Sequence, residues 1–186
     1  MVDIASEFEA FLAAPRRELV LPHIQPEVVE RAIAIAADLG RNGREGKPVG
    51  AVLVIGDAPE VLRRSRQLIL NPFQGYAEEQ RRLHDPRLAE TVRELSSLDG
   101  AFVIRGDGVI ESCGVLLEAA VDERLEVPRG LGTRHHAAAA ITATTDSLEV
   151  AVSESTGAVT VFRNGPVLTT LKRPRSVRGE RRVARQ

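Results

Sequence analysis

Val49-Gly50-Ala51-Val52-Leu53-Val54-Ile55-Gly56-Asp57 is the stretch on which the fold turns. No polar side chain interrupts it before Asp57, and Gly56-Asp57 closes it as a turn. A short apolar run bounded by turn residues predicts a buried strand, which needs structure packed over both of its faces. Upstream, Pro26 opens a segment in which Val28, Val29, Ala32, Ile33, Ala36 and Ala37 recur at helical spacing, and Gly40 closes it. Ser6 and Glu9 have capping-box spacing, and Phe8, Phe11 and Leu12 predict a short helix ending before Pro15. The glycine-bearing, basic segment 41–47 reads as an exposed turn.

Downstream, Leu68-Ile69-Leu70 predicts a second, shorter strand, stopped by Asn71-Pro72. Leu88, Val92, Leu95 and Leu98 predict a helix over 86–98, ending at Asp99-Gly100. Segments 101–105 and 109–117 read as strands joined by a Gly106-Asp107-Gly108 hairpin turn. A helix is expected over 133–144, and 148–153 alternates as a half-buried strand. Two more strands, 158–162 and 167–171, flank the turn around Asn164-Gly165. Helices first, then strands with helices inserted, then a strand-rich end predict an α+β fold, α/β-like in having helices against a central mixed sheet. A regular doubly wound alternation is not what this order describes.

The chain of 186 residues is one domain's worth, and 43% hydrophobic content is enough for a proper core. Aromatic residues make up 3% with no Trp, which argues against a base-stacking surface for single-stranded nucleic acid. The single cysteine, Cys113, excludes an internal disulfide and a cysteine zinc site, and inside a strand it reads as a small buried apolar residue. The net charge of −1 hides an asymmetry: residues 172–186 carry seven Lys/Arg and one Glu, leaving 18 basic and 25 acidic side chains, net −7, in the other 171. There is no 18-residue apolar run and no signal-peptide pattern, so a soluble, cytoplasmic protein without membrane association is expected. The organisation expected is an N-terminal helical segment over 1–44, a main domain over 45–171 and a basic C-terminal tail over 172–186. Such a tail invites a nucleic-acid reading, which the acidic body opposes.

Three short polar segments at the ends of expected elements could carry chemistry. Asp99-Gly100-Ala101 joins a hard oxygen ligand for Mg²⁺ or Mn²⁺ to a glycine that admits close backbone approach, although Asp-Gly is also common as a plain helix exit. Gly130 to His136, running into the helix, offers backbone N–H groups, a helix N-terminus and Arg134 to an anion; Thr133 could also simply cap the helix. A cationic Arg-His-His in a first helical turn opposes the dipole, so an anion is wanted nearby. Zinc at His135-His136 is disfavoured, because adjacent helical residues point roughly 100° apart. Ser153-Glu154-Ser155-Thr156-Gly157 ends a strand with hydroxyls suited to phosphate and with Glu154 able to face a metal, or forms an ordinary polar turn. Lys47 and Lys172 are the only lysines and neither sits in a Walker-type motif; GxGxxG and GxSxG are absent too.

Taken together in order and spacing, Asp99-Gly100-Ala101, Gly132-Thr133-Arg134-His135 and Ser153-Glu154 at the end of a strand resemble the DGA, RHR and SE-containing segments of the diadenylate cyclase domain family. The likeness reaches back through Val49 to Asp57 and forward to Asn164-Gly165, and Leu70-Asn71-Pro72-Phe73 looks most like the soluble, archaeal-type branch. The resemblance implies a nucleotidyltransferase that condenses two ATP into cyclic di-AMP with release of two pyrophosphates. It implies a divalent metal, Mn²⁺ or Mg²⁺, and a face-to-face pair of protomers, hence a homo-oligomer or at least a transient dimer. On that likeness Asp99 positions and activates the 3′-hydroxyl through the metal. Gly100 and Ala101 line the nucleotide. Gly132, Thr133, Arg134 and His135 grip the triphosphate, Ser153 adds a phosphate contact, and Glu154 completes the ATP site. Asp99, Arg134 and His135 are the catalytic candidates. Three positions depart from the family pattern: His136 stands where a second Arg is usual, Ser155 where a second Glu can ligate metal, and Leu98 where a His can precede the DGA motif. Those departures motivate the alternative of a catalytically silent nucleotide-binding sensor.

Overall fold

The computed structural model describes residues 21–119 and 132–171. The expected helix near Phe8, residues 120–131 and the basic tail lie outside the described residues. Seven strands form one mixed sheet: β1 (Ala51–Ile55), β2 (Ser65–Gln67), β3 (Ala101–Ile104), β4 (Ile110–Leu117), β5 (Leu148–Val152), β6 (Val159–Arg163) and β7 (Val167–Leu171), in the order β2-β4-β3-β1-β5-β6-β7. Only β1 and β3 pair in parallel, with Leu53 opposite Phe102; every other neighbouring pair is antiparallel. Among the described residues the α-helices are α1 (Pro26–Arg41), α2 (Ala58–Arg63), α3 (Pro86–Leu95) and α4 (Thr133–Thr144).

Both faces of the sheet are covered, as the apolar run of β1 requires. Leu53, Ile55, Phe102, Ile104, Val150 and Val161 form one core with Val28, Ala32, Ile33 and Leu39 of α1 and Leu88 and Val92 of α3. On the opposite face Val52, Val54 and Val103 pack with Val61 of α2 and Ile141 of α4, while Ala151 and Phe162 meet Ala138 and Ala139 of α4. α1 forms because its apolar residues recur on one face behind a proline in the first turn. α4 is rich in alanine because it lies close against the sheet, and its Thr142 hydroxyl accepts from Gly165 N at 3.2 Å, tying the β6–β7 turn to the helix. In that turn Asn164 and Gly165 have φ of 53° and 104°, the left-handed backbone these two residue types tolerate best.

Three local expectations need correcting, and one helix was not foreseen. The second strand is Ser65–Gln67, not the apolar triplet after it; Leu68 N makes the last bond to Gly114 O, and Leu70 is 93% exposed. The chain leaves the sheet there because Asn71 turns it, accepting from Phe73 N and donating to Glu111 O. The third helix ends at Leu95 rather than Leu98, since the Ser96 and Ser97 hydroxyls bond back to Val92 O and Glu94 O. β5 is buried on both faces, not half-buried: its alternation separates two cores, and Glu149 is 0% exposed. α2 has no counterpart in the sequence reading, although Pro59 in its first turn and Glu60 bonded to both Arg63 and Arg64 are its local signals.

Candidate nucleotide site

The parallel β1–β3 pair and the antiparallel β1–β5 pair bring the ends of three elements together at one end of the central strands. Asp99 lies in the turn between α3 and β3, Gly132 caps α4, and Ser153 follows the last residue of β5. All nine candidate residues, Asp99, Gly100, Ala101, Gly132, Thr133, Arg134, His135, Ser153 and Glu154, line a single cavity of about 910 Å³. Ser155 lines it as well, whereas His136 is exposed and does not. Val52, Val115, Leu117 and Val152 supply an apolar wall that sequence reasoning missed, because which face of a strand a residue occupies near a site follows only from the topology.

Gly100 sets the approach. Its φ is +104°, and a Cβ there would come within 2.6 Å of Gly114 C and Val115 N, backbone atoms of β4. No other residue fits a left-handed position pressed against a neighbouring strand. The β3–β4 ladder shifts register between Ala101 and Val103, so the strand start is irregular where it borders the cavity.

At the helix, Gly132 holds the cap position in extended backbone and no side chain caps α4; Thr133 is the first helical residue, not a cap. His135 N and His136 N bond to Gly132 O at 3.0 and 3.3 Å. The helix N-terminus borders the cavity, and among the described residues no anion is built onto its first turn, which suits it to a phosphate. Arg134 Nη1 donates to Glu154 Oε2 at 3.1 Å across the mouth, with the two side chains 39% and 67% exposed. A pair this open is weakly held and can be exchanged for another anion. Ser153 Oγ accepts from Thr156 N at 3.3 Å and lies 3.2 Å from Ser155 Oγ, which fixes the turn after β5.

His135 departs from the cationic Arg-His-His turn expected from sequence. It is 5% exposed, packs edge-on against Phe162 at 6.0 Å between ring centroids, and its Nε2 has no hydrogen-bond partner among the described residues. Burial, then the neighbouring charges of His136 and Arg134, hold its pKa below the ordinary histidine value. His135 thus enters the site as a neutral imidazole, a hydrogen-bonding group rather than a charge. Among the described residues no group of three or more His, Cys, Asp or Glu could hold a metal ion unaided. Asp99 alone still fits Mg²⁺ or Mn²⁺, which take one or two carboxylates and complete their shell with phosphate oxygens and water.

The family model described as DisA bacterial checkpoint controller nucleotide-binding matches residues 38–167. This chain belongs to the diadenylate cyclase domain family. It is 42% identical over 144 residues to a diadenylate cyclase of Methanocaldococcus jannaschii, covering 77% of this chain and 45% of that one. It is 39% identical over 143 residues to a diadenylate cyclase of Haloferax volcanii, covering 77% and 52%. The chain thus spans about half the length of these curated relatives. The diadenylate cyclase fold is shared with DacA from Staphylococcus aureus, at TM-score 0.50 and 19% identity over 78% of this chain and 86% of that one. A hypothetical membrane spanning protein from Bacillus cereus aligns at TM-score 0.59 and 20% identity, over 91% and 70%. Among the described residues, no helix is long and apolar enough to cross a membrane.

Proposed function

We propose that this domain condenses two molecules of ATP into cyclic di-AMP with release of two pyrophosphates. The observation that carries the reading is the convergence of Asp99-Gly100-Ala101, Gly132 to His135 and Ser153-Glu154 on one cavity in a chain of this family. The adenine packs on the apolar wall of Val52, Val115 and Val152, and the triphosphate lies against the N-terminus of α4 with the Arg134 guanidinium. Asp99 faces the 3′-hydroxyl and is the residue that would hold Mg²⁺ or Mn²⁺ together with phosphate oxygens; the ion would supply charge neutralisation at the phosphates.

In each of two equivalent steps, a 3′-oxygen forms a bond to the α-phosphorus of the other ATP. The bond from that phosphorus to the β-phosphate bridging oxygen breaks, pyrophosphate leaves, and the hydroxyl proton passes to solvent. Such transfer depends on in-line positioning and on charge stabilisation more than on a covalent nucleophile. One cavity positions one ATP, so the second must arrive in another copy of the chain, and the working unit is a pair of protomers.

Incubation of the purified chain with ATP and Mn²⁺ or Mg²⁺, read by mass spectrometry, should give cyclic di-AMP and pyrophosphate in a ratio of one to two. A folded chain that binds ATP saturably and yields no product would refute catalysis and select the silent nucleotide sensor.

A further inference from the structure

Gly50 immediately precedes β1, is buried, and does not itself line the cavity. A Cβ built on it would lie 2.5 Å from Arg134 Nη1, 3.0 Å from Arg134 Cζ and 3.1 Å from Glu154 Cβ. We infer that Gly50 is a positioning residue for the nucleotide phosphates: its missing side chain is the seat in which the Arg134 guanidinium lies beside Glu154. The inference rests on the nucleotide-binding reading above and adds to it a residue that makes no contact with the ligand.

The physical case lies in which atoms crowd the position. Gly50 does not have left-handed backbone, so alanine is conformationally acceptable there. The two shortest approaches are to the far end of a long, flexible side chain, which moves aside at little cost to the fold. What moves is the group expected to meet the phosphates. A guanidinium binds an oxyanion through a rigid planar fork, so a displacement of about 1 Å spoils its donor geometry. Glu154 forms the other wall of the seat, and its bond to Arg134 holds the fork at the cavity mouth until phosphate oxygens replace the carboxylate.

The test compares the parent chain with Gly50→Ala, Arg134→Ala and the double variant. Binding of α,β-methylene-ATP with Mg²⁺ is measured by calorimetry, and folding by thermal melting. Gly50→Ala should melt as the parent does while its Kd rises roughly tenfold, the scale of one lost charge-assisted contact. In the Arg134→Ala background, Gly50→Ala should add nothing, because the group through which it acts is gone. Unchanged affinity in Gly50→Ala overturns the inference, and so does an equal loss in both backgrounds, which would mark a merely structural role. The predicted binding pattern in a chain that makes no cyclic product would overturn the cyclase reading alone and leave this inference standing. A parent chain that binds no nucleotide would overturn both.

Discussion

Asp99 is exposed in a turn, so the fold depends on it little, while the proposed reaction depends on it entirely. Asp99→Asn should therefore lower turnover at least about 100-fold, the scale of a lost metal and hydroxyl ligand. The melting temperature should stay within about 1 °C of the parent's, as surface substitutions usually change stability little. Full activity in that variant would remove Asp99 from the mechanism. Glu149 shows the opposite balance. It stands on β5 opposite Val54 and Phe162, is fully buried with both carboxyl oxygens unpartnered among the described residues, and its pKa is pushed well above the ordinary value by burial. Below the carboxylate range both folded and unfolded states hold the proton. Above it the unfolded chain releases the proton and the folded chain keeps it, so stability falls as pH rises until Glu149 itself ionises. Glu149→Met should raise stability at neutral pH by about 1–3 kcal/mol and flatten that part of the profile. Chemical denaturation at a series of pH values from acid to alkaline would read it, and a parallel offset at every pH would count against an ionisable origin. Neither oddity of Glu149 was visible beforehand, because an alternating strand reads as half-solvated unless both of its faces are known to be covered.

Among the elements, the start of β3 and the start of α4 carry the site under different constraints. At Gly100 a side chain meets backbone atoms of β4 and a left-handed φ together, and nothing flexible can yield. Gly100→Ala should cost roughly 2 kcal/mol or more, seen as a lower denaturation midpoint and as poor recovery of folded protein. Among the described residues, a Cβ at Gly132 would meet nothing within 4 Å, and the helix has no side-chain cap. Gly132→Asp should leave the melting temperature equal or slightly higher, since Asp is a good cap, yet weaken ATP binding roughly tenfold. Its carboxylate would occupy the amides and field that the phosphates otherwise use. Equal ATP affinity would exclude α4's N-terminus from phosphate binding. The helices were legible where apolar periodicity and stop signals agreed, as for α1. Where one or two hydrogen bonds decided an end, as at Ser96 and Asn71, periodicity ran past the true boundary.

For the whole molecule, the proposed chemistry makes the rate depend on encounters between copies. Product formed per chain should rise with protein concentration at saturating ATP and level off once pairing is complete. A specific activity constant down to nanomolar chain, with a monomeric solution mass, would contradict the face-to-face arrangement. The sequence by itself determined six of the seven sheet-forming segments, the fold class and the three polar segments at element ends, because hydrophobic periodicity and turn chemistry are local and are written in short stretches. Only the tertiary structure decided that those segments meet. The strand order places β1 between β3 and β5, which carries Asp99, Gly132 and Ser153 to one cavity across more than fifty residues of chain. It also decided that Glu149 and His135 are buried and that Gly50 borders Arg134. Desolvation and steric contact depend on what lies across the sheet, and no run of neighbouring residues records that.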